Sequence, residues 1–438
     1  MGSKVDVDTP IEVTNVEDTA KNRLRLITIF LANTISMVGS ELTLIALPWF
    51  VLQTTGSASK TGLTAFFETL PAVIAGIFGG AIIDRLGYRR ACIIADVGSG
   101  ISIALVPLLY STVGLVFWQL LVFVFFSSLF AVASATSLTA LLPEVAESAN
   151  VSLEQANSTF WAIQRGAALI GAPLAGILIG MMSSSNVLWI DAATFFFSAV
   201  AILLVIPHLA TGLNSEVTHR YLSEVKEGLL FIRQNRLILI IVLTIVLTNF
   251  LDAPLFAVIM PVFMKERFNS ALDLGLAIAA FGGGGLVGAI VTFAWGVNLP
   301  RRAVFIGSFI LAGLLLWALA TLPSLPVTIC VFGMVGLASG PLNPILMTIV
   351  QERVPATMRG RIFGSLAAVA NFAVPLGVII AGYLLDLIHL QSVLFVLAIF
   401  YSLVTFSLLF SPVLQEMDVK RTNENHDQRD DSSKDNAG

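Results

Sequence analysis

Twelve runs of predominantly apolar residues, each about twenty or more long, set what this chain can become. They fall at 26–52, 61–83, 91–110, 114–137, 160–182 and 187–208. After a polar stretch they resume at 237–263, 272–297, 302–322, 326–349, 362–385 and 391–412. As helices rising about 1.5 Å per residue, they can cross a hydrocarbon layer roughly 30 Å thick. A soluble fold of 438 residues could not absorb them, because 56% of the chain is apolar and only 12% is charged. The expected fold is therefore an all-α integral membrane protein of twelve transmembrane helices, and membrane lipid is its first partner.

The basic residues predict the orientation. With both termini in the cytosol, only Lys60, Lys265 and Arg267 of the 24 Lys and Arg face outward, as the positive-inside rule requires. The expected location is a plasma membrane, the inner one in a bacterium. Trp49, Trp118 and Trp189 near outer span ends, with Trp161 and Trp295 near inner ones, fit an aromatic belt. The tails at 1–23 and 414–438 are polar and acidic, so both are expected to be disordered. An acidic start followed by a long apolar segment argues against a cleaved signal peptide. Cys92 and Cys330 both lie in apolar stretches and imply no disulfide framework.

The chain also repeats itself. Pro48-Trp49-Phe50 in span one is echoed by Pro261-Val262-Phe263 in span seven, and Arg89-Arg90 after span two by Arg301-Arg302 after span eight. Pro173-Leu174 in span five is echoed by Pro375-Leu376 in span eleven at a shorter offset, which places about ten extra residues in a loop at 143–157. Two pseudo-symmetric six-helix bundles follow, 24–208 and 237–413. Between them, 209–236 forms a cytosolic linker. Parallel repeats around a central site are a transporter architecture. Within the linker, Leu222, Val225, Leu229 and Ile232 share one face of a short amphipathic helix at about 220–236, a tether for the inner membrane surface.

Span two closes on Gly80-Ala81-Ile82-Ile83-Asp84-Arg85-Leu86-Gly87-Tyr88-Arg89-Arg90. Gly76 and Gly80 let a neighbouring helix approach, Gly87 permits a sharp turn, and Asp84 can accept hydrogen bonds from a facing helix N-terminus. The run resembles the signature loop of the major facilitator superfamily, at Gly80, Asp84, Arg85, Gly87, Arg89 and Arg90. The resemblance implies a latch that holds the cytosolic side shut when the protein opens outward. Gly166, Gly171, Ala172, Pro173 and Gly176 in span five are similar to that family's antiporter motif, with alanine where the motif has glycine before the proline. Span four lacks the arginine that many proton-coupled drug exporters carry there. Leu70-Pro71, Ala95-Asp96, Ala156-Asn157 and Arg359-Gly360-Arg361 instead resemble the twelve-span branch of macrolide-efflux and siderophore-exporter proteins.

An intramembrane carboxylate is costly and so marks function. Counted along their helices, Glu41 and Asp252 lie about 22 Å from the cytosolic edge and Glu68 about 24 Å, which places three acids in one layer. Asn33, Ser36, Met37, Ser40 and Glu41 follow helical spacing, and Thr244, Thr248, Asn249 and Asp252 form a matching stripe. Polar stripes must face protein or water, so both are expected to line a central cavity. A carboxyl in a drying cavity takes up a proton, and returning water or a cation favours its ionised form again. That supports exchange of a proton for an amphiphilic drug such as a macrolide, or for one endogenous metabolite such as a siderophore. Asp96 and Arg165 read as packing partners near inner span ends, and Asp191 and Asp386 as outer residues close to water.

Other classes are disfavoured. Gly282-Gly283-Gly284-Gly285 lacks the Lys-Ser/Thr of a phosphate-cradling loop and reads as close helix packing, so no ATP site is expected. His208, His219, His389 and His426 do not pair at ligand spacing, so no metal is expected either. No nucleophile–base set points to an enzyme. Nothing reads as a nucleic-acid footprint, and the expected driving force is the proton gradient rather than a cofactor.

Overall fold

Capping and turn residues divide the apolar runs into helices. A computed structural model describes residues 16–206, 227–295, 300–354 and 358–418. The first half holds α1 (Val16–Thr55), α2 (Ala58–Leu86), α3 (Tyr88–Ser111), α4 (Phe117–Ser148), α5 (Leu153–Met182) and α6 (Ser184–Val205). Ser57 starts α2 by accepting from the Lys60 amide, and Ser152 does the same for α5 from Gln155. Gly87 separates α2 from α3 at φ 79°, the sharp turn the sequence demanded.

In the second half Asn235 caps α7 (Arg236–Pro254), which passes through a π-helical turn at Leu255–Ile259 into α8 (Met260–Arg267). The remaining helices are α9 (Ala271–Trp295), α10 (Arg301–Ala320), α11 (Leu325–Ser339), α12 (Leu342–Arg353), α13 (Arg359–Leu387) and α14 (Leu390–Ser407). Eleven spans are long and apolar enough to cross a membrane among the described residues, with α7–α8 and α11–α12 each counting as one. The 29-residue α2, outside those eleven, is long enough to span the hydrocarbon as well.

Among the described residues the halves share a hydrophobic core at one end. At the end away from the termini, Trp49, Phe50, Ala172 and Ile179 of the first half share a core with Met260, Phe263, Ala271 and Leu274 of the second. At the terminal end the first half has its own cluster around Ile29, Leu142, Phe160 and Ile202. A separate cluster around Ile238, Val242, Val350 and Ile362 belongs to the second half. The bundle is thus closed at the far end, while no described core joins the halves at the terminal end.

Glycines make the closure tight. A Cβ on Gly62 of α2 would stand 2.6 Å from the Val378 carbonyl oxygen and 2.9 Å from the Gly382 Cα on α13. A Cβ on Gly176 of α5 would stand 2.7 Å from the Ala271 carbonyl oxygen on α9. Gly284 and Gly288 of α9 press against the backbone of α11, as expected for the four-glycine run.

Several expectations change. Residues 143–148 continue α4 rather than forming a loop, because Leu141, Leu142, Val145 and Ala146 recur at helical spacing and are buried. Helix α1 reaches back to Val16 inside the expected tail. The other tail joins the fold through a 3-10 helix at Pro412–Met417 that buries Leu414 and Met417. There Arg353 donates to the Glu416 carbonyl at 2.6 Å, and Asp418 accepts from the Arg302 amide in the first turn of α10 at 3.2 Å. Trp49 lies in the core beneath Lys265 at 5.5 Å instead of in the belt, whereas Trp118, Trp161 and Trp189 are exposed. Of the linker helix only 227–234 is described. Ile232 there packs against the second half while Leu229 is exposed, and Leu222 and Val225 lie outside the described residues.

Candidate functional site

Span seven places Asp252 by two local features. Pro254 cannot donate to the helix ladder, and the π turn that follows re-phases the chain. Thr248, Asn249 and Asp252 therefore face inward before the turn, while Met260 and Phe263 after it face the shared core. The Asp252 face borders a partly open cavity of about 290 Å³. Phe256, Phe281, Phe309 and Tyr401 supply aromatic wall, and Ser339 and Asn343 add polar groups beside Asn249. Asn249 donates to the Ala370 carbonyl of α13 at 3.1 Å, which fixes its amide. Tyr401 is buried and shares the cavity wall with Asp252. Thr244, expected in the same stripe, is instead buried and bonds back to Ile240 at 2.8 Å.

The acids of the first half lie elsewhere. Every wall residue of that cavity comes from the second half, so Glu41 and Glu68 do not line it. Glu41 is half-buried on α1 and leans its Cβ on Gly171 of α5, where any side chain would collide with it. Glu68 is half-buried on α2. Asp191 is only 2% exposed. It accepts from the Thr43 hydroxyl at 2.5 Å, and Gly39 leaves room for it on α1. Among the described residues none of these four carboxyls joins a salt bridge. A buried carboxyl without a cation is a natural proton carrier, because only its neutral form avoids the cost of an isolated charge.

The remaining expected residues spread out. Ser36 is half-buried and Ser40 exposed, whereas Asn33 is buried with an amide nitrogen lacking a partner. Asp96 is fully buried on α3, accepting from Ser134 through one oxygen, and its other oxygen has no partner. Arg85 and Arg90 are exposed. Arg89 donates to the Leu203 carbonyl at 2.7 Å and to Ile206, closing the last turn of α6. The surroundings of Gly80 and Asp84 lie outside the described residues, as does the Trp295 side chain. In the span-five motif Gly171 and Gly176 sit at close contacts and Pro173 lies inside the helix. A Cβ on Gly166 would meet nothing.

Three residues of these sites were not singled out by the sequence. Asp191 met the intramembrane-acid criterion, yet its place near an outer span end made water seem close; the burial comes from α1 packing across α6. Asn343 and Tyr401 stand on spans ten and twelve, and their meeting at the Asp252 cavity depends on tertiary packing that no local spacing encodes.

Residues 29–251 and 242–432 each match the Major Facilitator Superfamily profile. Over 398 residues, 90% of this chain and 97% of the relative, the sequence is 31% identical to the multidrug efflux pump Tap of Mycolicibacterium fortuitum. Macrolide efflux protein A of Streptococcus pyogenes is 21% identical over 83% of this chain and 90% of its own length. Among solved structures, the nucleoside transporter NupG superposes with TM-score 0.70 at 13% identity, over 88% of this chain and 98% of its own. A bacterial homologue of the human lysosomal transporter Spinster, in an inward-facing and unoccupied conformation, gives 0.65 at 12% identity, over 92% and 99%.

Proposed function

The chain belongs to the Major Facilitator Superfamily, and from that premise we propose that it exports amphiphilic drugs, macrolides among them, in exchange for protons by alternating access. The observation that carries the reading is the aromatic-walled cavity with one acid, Asp252, which pairs with no cation among the described residues. Such a site takes an apolar body with a basic or hydrogen-bonding group, and the acid is free to trade its proton for that group. The Tap and macrolide-efflux relatives support drug efflux as the task. The rocking motion is supported by a core shared at one end and divided at the other. With both termini in the cytosol, this conformation opens inward.

In this cycle a protonated Asp252 gives up its proton when a cationic or polar substrate group enters from the cytosolic side. After the halves rock, a proton from outside displaces the substrate. Glu68 with Asp191, and Glu41 against α5, are the carboxyls that pass or hold protons in the first half. The test uses inside-out vesicles with an acid interior and a fluorescent reporter of ΔpH, to which macrolides, lipophilic cations and catecholate siderophores are added singly. Proton release on addition of macrolides or lipophilic cations, lost in Asp252→Asn, is the expected result. Release only with Na⁺ or a single siderophore would overturn the multidrug reading.

A further inference from the structure

At the closed end one carboxylate bridges the two halves. Asp386, near the end of α13, caps the start of α2. Its Oδ1 accepts from the Ala58 amide at 2.9 Å. Its Oδ2 accepts from the Ser57 hydroxyl at 2.9 Å, the Ser59 amide at 3.1 Å and the Ser59 hydroxyl. The first amides of a helix are otherwise unpaired and carry the positive end of its dipole, so an acid there is bound by charge as well as by hydrogen bonds. One helix turn further in, Gly62 and Gly382 bring the two backbones into contact. Asp386 could have been a solvated surface acid, as its exposure allows. Four donors converging on it from the other half say otherwise.

We propose that Asp386 is the latch of the end opposite the termini, holding α2 against α13 while the terminal end stands open and releasing when the halves rock. The geometry gives the release a defined locus. Helices α2 and α13 run antiparallel, so each end of the pair offers one helix N-terminus and one C-terminal acid. At the far end these are Ser57–Ser59 and Asp386. At the terminal end they are the start of α13, where Met358 at the cap position has no oxygen to offer, and Asp84 near the end of α2. The helix pair thus has an acid and a helix start at each of its ends in the chain order, and contacts at the two ends cannot both form if the halves pivot between them. The proposal rests on the alternating-access reading above but needs neither the substrate nor the coupling ion.

The experiment uses the full chain in lipid nanodiscs with Cys92→Ala and Cys330→Ser, and measures distances between paired spin labels. One pair, at Val113 and Thr321, reports the far end, and a second, at Glu154 and Gln234, reports the terminal end. Asp386→Asn is expected to raise the ratio of far-end-open to far-end-closed molecules roughly tenfold, about the worth of one charge-assisted hydrogen bond. The terminal-end pair should shorten in the same molecules. Ser59→Ala should move both pairs the same way by less, Asp386→Glu should retain part of the closure, and Asp84→Asn should act in the opposite sense. If Asp386→Asn and Ser59→Ala, both monodisperse, stay within about twofold of the parent while Asp84→Asn shifts the ratio, the latch is refuted and alternation stands. If no variant moves either pair, alternating access falls and takes the latch with it.

Discussion

Replacing Gly62 with alanine tests whether the closed end is held by close backbone approach. The added Cβ would lie 2.6 Å from the Val378 carbonyl oxygen and 2.9 Å from the Gly382 Cα. Both neighbours are backbone atoms, so neither can rotate aside. Restoring ordinary contacts of about 3.5 Å requires α2 and α13 to part by roughly 1 Å. Overpacking of this kind costs about 1–3 kcal/mol, and here the cost falls on the closed far end alone. The expected result is a shift of about 5- to 150-fold toward molecules open at that end. The spin-label pair at Val113 and Thr321 reads it directly. Gly166→Ala is the matched control, because a Cβ there meets nothing in this conformation. If Gly166 packs only when the terminal end closes, its alanine variant moves the ratio the other way, toward the far-end-closed form. An unchanged ratio in both Gly62→Ala and Gly382→Ala would refute the argument, as would a shift of the same sign in Gly166→Ala.

Three other outcomes follow from the site. Tyr401→Phe removes a hydroxyl while keeping the buried ring in the wall around Asp252. The KM for a transported macrolide should rise about 2- to 10-fold, the worth of one hydrogen bond, with expression unaltered; an unchanged KM would place the substrate elsewhere. Asp191→Asn keeps an acceptor for Thr43 but removes a second intramembrane acid of the first half. Combined with Glu68→Gln it should be strongly non-additive in proton release, and strict additivity would separate the two carboxyls. Arg301→Gln breaks the 2.6 Å and 2.9 Å bonds to Glu352, which tie α10 to α12. Because both partners are partly exposed, the loss in thermal stability should stay at or below about 1 kcal/mol, and a collapse on heating would show that this pair anchors the half.

What could be read from the residues was what depends on neighbours along the chain. The apolar runs fix twelve crossings because the hydrocarbon leaves the backbone only helices to form. Gly87 fixes the turn after span two because few residues other than glycine adopt φ 79° without strain. The acids at Glu41, Glu68 and Asp252 stand out because an ionisable group in an apolar run has no cheap explanation. Depth along a helix says nothing of azimuth: residues at one depth can face different neighbours, and here Asp252 borders a cavity walled by the second half while Glu41 rests against Gly171 of α5. The π turn at Leu255–Ile259 widens that gap, since one extra residue per turn rotates everything beyond it in a way a fixed helical period cannot follow.

Asp386 shows the same limit from the other direction. As a residue near a span end, it carried no more weight in the sequence than any surface acid, and only its partner reveals a role. That partner, the Ser57-Ala58-Ser59 start of α2, lies more than three hundred residues away. A helix start rich in serine usually caps itself, and Ser57 does accept from the Lys60 amide. Two serine hydroxyls then remain to donate outward, together with two free amides, and an acid is the one side chain that accepts all four. The sequence thus encodes a donor cluster at 57–59 and an acceptor at 386 as separate, unremarkable facts. It is the closure of the two halves at this end that makes them one device, and so the opening of this end must undo it.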